Sequence, residues 1–130
     1  MKKMIVLAFG VLLVFPFTSY AQKDVLDEIS LALKGGASKE MVKYFNNSVD
    51  LTFENDTQTY SKAQSEFVLK DFFKKNPPSN FMIEHYGASK GGQPYAIGQY
   101  KSGNKQFRVW IRLKESAGSY KVHEMSIDEE

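Results

Sequence analysis

Apolar and polar positions along the chain mark out its elements before any chemistry is considered. After Asp24, Val25, Ile29 and Leu33 fall at four-residue spacing, Leu26 and Ala32 widen the stripe, and Gly35-Gly36 follows. That pattern predicts an amphipathic helix stopped by the glycine pair. Ser38 is placed to cap a second, short helix with Met41, Val42 and Phe45 facing inward. Val49, Leu51 and Phe53 alternate with Asp50, Thr52 and Glu54, which predicts a half-buried strand turned at Asn55-Asp56 into a short partner over 57–60. Ser61-Lys62-Ala63-Gln64 has the form of a capping box, opening a third helix whose Val68, Leu69, Phe72 and Phe73 share one wide face. Pro77-Pro78 ends that helix, and four strands are predicted over about 81–88, 95–101, 106–114 and 120–127. Asp128-Glu129-Glu130 reads as a frayed tail. The order α-α-β-β-α-β-β-β-β is an α+β plan, three helices covering one face of a mostly antiparallel sheet.

The stretch SKGG at 89–92 raises the question of an anion-binding loop. A phosphate loop needs glycines leading into a helix N-terminus, whereas Gln93-Pro94-Tyr95 leads into a strand. Gly91-Gly92 is therefore read as a two-residue hairpin bend, and Gly103-Asn104 as the next one. These bends set His85 opposite Gly98 and Gly87 opposite Ala96. They also set Gly98 opposite Val109, Ala96 opposite Ile111, and Tyr100 opposite Phe107.

On this register His85, Gly98, Ala96, Tyr100, Val109 and Ile111 face the helices. The small residues around His85 would leave a pocket there, with His85 as the candidate general base. The plainer alternative is that His85 hydrogen-bonds a backbone carbonyl or Tyr100 and fills space. Glu124 would point inward if Ala117-Gly118 turned the last hairpin without a bulge. It would still lie roughly 14 Å from His85 at ordinary strand spacing, too far for a dyad. Asp71, four residues before Lys75, reads as an exposed helical ion pair. The opposite face collects Tyr86, Tyr95, Ile97 and Trp110 with Arg108 and Arg112. Interface centres are enriched in such aromatic and arginine mixtures. A sheet-to-sheet homodimer accounts for that strip, and a carbohydrate or peptide lying across Tyr86, Tyr95 and Trp110 is the alternative.

Composition narrows the setting. Lys2 and Lys3, an apolar run of 14 residues from Met4 to Phe17, and Ser19-Tyr20-Ala21 have the grammar of a secretory signal peptide cut after Ala21. The run is shorter than the ~20 residues of a spanning helix, so no stable membrane insertion is expected after cleavage. Residues 1–21 are thus expected to be a leader and 22–130 a single domain, periplasmic or secreted. Removing Lys2 and Lys3 from the 17 basic residues leaves 15 against 15 acidic ones, so a nucleic-acid partner is not expected. With no cysteine, thiol catalysis, Cys-ligated metals and a lipidated cysteine are excluded. No metal-ligating cluster or cofactor motif is present in the pattern.

DFFKKNPP at 71–78 and SKGGQPYAIG at 89–98 resemble a family of exported Bacteroidota proteins catalogued as domain of unknown function number 4783. The element order is similar to the cystatin-like cone of nuclear transport factor 2 (NTF2) and ketosteroid isomerase relatives. That resemblance implies a curved sheet, an exported compartment and a ligand pocket between sheet and helices, and it supplies no catalytic residue. Asn46-Asn47-Ser48 and Asn55-Asp56-Thr57 match glycosylation sequons, which carry little weight in a bacterial chain. The expectation is a small exported binding or interaction module, possessed of no cofactor and handling a small molecule, carbohydrate, peptide or second copy. The alternative is an isomerase- or hydrolase-like enzyme using His85 as its base.

Overall fold

The structure, a computed structural model, describes residues 20–130. Most of the expected leader lies outside the described residues. Helices α1 (Tyr20–Gly35) and α2 (Ser38–Met41) lead through a 3-10 turn at Val42–Tyr44 into strands β1 (Phe45–Phe53) and β2 (Asp56–Ser61). Helix α3 (Lys62–Lys75) follows, and then β3 (Asn80–Ala88), β4 (Pro94–Ser102), β5 (Lys105–Ser116) and β6 (Ser119–Glu129). The six strands form one sheet in the order β2-β1-β6-β5-β4-β3. All neighbours are antiparallel except β1 and β6, which run parallel. Among the described residues no helix is long and apolar enough to cross a membrane.

The helical stripes pack onto one face of the sheet. Leu26, Ile29, Leu33, Met41, Val42, Leu69 and Phe72 meet Leu51, Phe81, Val109, Ile111, Val122 and Met125 in one buried cluster. The Ser61 hydroxyl accepts the Gln64 N–H while the Gln64 side chain accepts the Ser61 N–H, so the capping box forms as read. Its loss costs a helix about 1 kcal/mol. Ser38 makes no such cap. Ala37 holds the cap position of α2, and Ser38 is buried inside the first turn. Asp71 and Lys75 form the exposed ion pair at 3.1 Å, worth ~0.3–0.5 kcal/mol.

The register departs from expectation at two points, and the departures decide which face each β3 residue occupies. The hairpin after β3 is longer than a two-residue bend. Ala88 pairs with Pro94, the Gly92 N–H reaches the Ser89 carbonyl at 2.8 Å, and the Ser89 N–H reaches the Gln93 carbonyl at 2.8 Å. Lys90 and Gly91 are the central turn residues, and Gly91 at φ +87° supplies the positive φ of a type II turn. SKGG is a turn, but five residues separate the paired ends. The pairing shifts by one residue, so His85 stands opposite Ile97 and Tyr86 opposite Ala96. A bulge at Glu84 then shifts the ladder again, giving Ile83 opposite Gly98 and returning Phe81 and Ile83 to the helix side. By contrast, β4 and β5 pair as read, with Gly103 at φ +59° opening a two-residue turn.

Gly98 is required by contact. A Cβ there would sit 2.6 Å from the Phe81 ring and 2.7 Å from the Met82 carbonyl oxygen. The predicted gap beside Gly98 is filled by Phe81, because the second shift slides that ring over the glycine. Gly98→Ala should therefore destabilise the domain by about 1–3 kcal/mol through overpacking. Urea denaturation followed by circular dichroism reads this, and an unchanged midpoint would contradict the packing.

Candidate functional site on the open face of the sheet

The interior site expected from the sequence is not assembled. Ala96, Tyr100, Val109 and Ile111 are fully buried in the core. The Tyr100 hydroxyl donates to the Asn76 carbonyl at 2.6 Å, and burial pushes its phenol well above the ordinary range, so it stays neutral. His85 is exposed and lies on the opposite face, its ring 6.0 Å from that of Tyr95. It is corrected from an inner to an outer residue by the longer hairpin loop. Glu124 is also outside. A bulge between Arg112 and Leu113 accommodates an extra β6 residue and sets Glu124 opposite Arg112, Nε to Oε1 at 3.5 Å.

Tyr86 makes the reverse exchange. It stands opposite the buried Ala96 and lines a groove of about 370 Å³ with Leu31, Lys34 and Met82, on the α1 side of the sheet edge. It does not join the aromatic strip.

The remaining strip is continuous. Tyr95 and Trp110 stack at 5.4 Å with 30° between their planes. The Arg112 guanidinium sits 5.0 Å from the Trp110 ring and 5.8 Å from the Tyr95 ring, a cation–π arrangement favouring both faces. Gly87, opposite Tyr95, lets the tyrosine lie down. A Cβ at Gly87 would be 2.6 Å from that ring. Ile97 lies between His85 and Trp110 in the register. His85, Tyr95, Trp110, Arg112 and Glu124 thus run across β3, β4, β5 and β6, and Trp110 and Tyr95 are only half-buried. Beside Trp110 a hollow of about 150 Å³ is lined by Arg112, Glu124, Ser126 and Asp128.

Gln99 and Arg108 stand opposite one another on the same face. Their acid is Glu130. Gln99 Nε2 donates to Glu130 Oε1 at 2.9 Å, and Arg108 holds Oε2 through Nε at 2.9 Å and Nη2 at 2.7 Å. The Glu130 N–H donates to the Gln106 carbonyl at 2.8 Å. β6 itself runs to Glu129, so the chain end is latched rather than frayed. The sequence signal was present in two outward donors awaiting an acid, but the end of the chain offered no periodicity to place one.

Three helices on a curved six-strand sheet make an NTF2-like domain, and the fold recurs in an NTF2-like protein of unknown function from Shewanella baltica. That likeness has a TM-score of 0.65 at 16% identity, over 88% of this chain and 98% of that one. The chain belongs to the DUF4783 family, a domain of unknown function whose model matches residues 26–128. A DUF4783 family protein from Bacteroides ovatus is 30% identical over 79% of this chain and 93% of its own, with a TM-score of 0.75. One from Bacteroides uniformis is 27% identical over 80% and 95%, with a TM-score of 0.74. No curated protein matches the chain.

The Gln99 and Arg108 hydrogen bonds hold the Glu130 carboxyl below its ordinary value of 4.5. The latch is therefore in place above that value and is lost as pH falls through the lowered one. Arg108→Met should move the Glu130 titration, followed by side-chain carboxyl NMR, upward toward 4.5. A titration unmoved by the substitution would show that Arg108 does not hold the acid.

Proposed function

We propose that this domain is a small exported binding module that works through the open face of its sheet, and that a second copy of the chain covers that face. The observation carrying this reading is the Tyr95–Trp110 stack under Arg112. It is an apolar and cationic strip on the face without helices, composed as interface centres are. Charge favours a second copy over a foreign partner. Arg108 and Arg112 on β5 stand beside Glu124, Asp128 and Glu130. A two-fold axis through such a patch sets base against acid in both directions. Gln99 Oε1 and Asp128 Oδ1 lie covered without a donor, and an opposing guanidinium would supply one after modest side-chain movement. The leader pattern at the start of the chain supports export.

The enzymatic alternative depended on His85 in a closed pocket. It loses that support now that His85 stands outside and Phe81 fills the space at Gly98.

Trp110→Ala should weaken self-association by about 2 kcal/mol, as a hot spot does. Trp110→Glu should weaken it further by burying a charge. Sedimentation across a concentration series measures both, with circular dichroism as the folding control. A wild type that stays monomeric throughout contradicts the second copy and favours a ligand across Tyr95 and Trp110.

A further inference from the structure

His123 is the most irregular position in the sheet. β6 is a central strand, yet His123 belongs to neither of its ladders. On the β5 side the register passes from Glu124 opposite Arg112 to Val122 opposite Leu113. On the β1 side it passes from Phe45 opposite Val122 to Asp50 opposite Glu124, so β1 takes five steps while β6 takes two. The surplus in β1 is Asn46-Asn47-Ser48, of which Asn46 and Asn47 pair with neither β2 nor β6. Bulges of this kind re-aim side chains and gather beside functional sites. Asparagine and serine are also poor strand formers, so local preference offers no reason for them at this place.

The two bulges open a hollow of about 410 Å³ lined by Asn46, Asn47, Ser48, Asp50, Lys114 and His123. Every lining residue is polar. Asp50 accepts the Thr59 hydroxyl at 2.6 Å. Among the described residues, the side chains of Asn46, Asn47, Ser48, Lys114 and His123 make no hydrogen bond or ion pair. Five uncommitted polar side chains from three strands converge there, with one cation and one carboxylate. The lining offers hydrogen-bonding groups from every residue. Amides, a hydroxyl, an imidazole and a carboxylate oxygen are the groups that hold alcohols, and Lys114 adds a seat for one negative charge.

We propose that this basin binds a small polyhydroxylated carboxylate, a compound of the sugar-acid class, with its carboxylate on Lys114 and its hydroxyls on Asn46, Asn47, Ser48 and Asp50. The proposal goes beyond the second-copy reading. It involves none of the Tyr95–Trp110 stack.

The test is a titration of the isotope-labelled domain by NMR with D-glucuronate, D-glucose and acetate. Glucuronate should shift the amides of Asn46, Asn47 and Ser48 and the ring of His123 saturably, with a dissociation constant on the order of 1 mM. Glucose should bind at least fivefold more weakly, and acetate without the hydroxyl contacts weaker still. Lys114 and Asn47 are exposed, so their variants keep the fold. Lys114→Met should remove the advantage of glucuronate over glucose, and Asn47→Ala should weaken both sugars. The Trp110→Glu variant should bind glucuronate as the wild type does, whether or not association survives. No saturable shift with glucuronate, equal binding of acetate, or an undiminished preference in Lys114→Met would each overturn the assignment.

Discussion

Phe81 lays its ring against Gly98, and the outside of this domain depends on that contact. A side chain at Gly98 would overlap both the ring and the Met82 carbonyl, so the sheet and helices close on one another without the cavity that small residues there suggest. Around it Phe72 touches Phe53, Phe73, Tyr100 and Phe107 at ring separations of 5.2–5.8 Å. The Tyr100 hydroxyl ties this cluster to the end of α3 through Asn76. With no disulfide available, this aromatic packing supplies the cohesion of a domain of only about a hundred residues.

A filled interior moves the chemistry to the open face. There the side chains come in two unlike groups. Across β3 to β6 runs the aromatic strip, whose rings are held flat by Gly87 beneath Tyr95 and by Arg112 above Trp110. Across β1, β6 and β5 lies the polar basin around His123, which contains no Phe, Tyr or Trp. The strip suits a large partner that removes it from water, and the basin suits a small hydroxylated one. The strip rests on the unbroken β4–β5 ladder and the basin on the register shifts around His123, so the positions of their side chains are set by the sheet itself.

Most of the architecture was legible in the sequence because periodicity and punctuation agreed. The four-residue stripe of α1, the capping box of α3 and the double proline after it each pointed to the observed element. The β4–β5 register followed from Gly103 alone. The β3 register did not, because a glycine pair marks a turn without fixing its length. Ser89, Lys90 and Gln93 joined the loop, and every residue from His85 to Ala88 moved by one. One residue of slip exchanged His85 with Tyr86 across the sheet, and with it the inner site that sequence reasoning had assembled. The bulges at Glu84 and His123 left no mark that alternation can read. The only hint at the second was Asn46-Asn47-Ser48, an unlikely composition for a strand.

Trp110 is the only tryptophan in the chain, which makes the central claim directly measurable. If the open face is where a second copy docks, collisional quenching of its fluorescence by acrylamide should fall as protein concentration rises through the association range. The half-exposed indole of the free domain would become shielded. Quenching that stays constant from dilute to concentrated protein would contradict the account, because the strip would then remain in water however many copies were present.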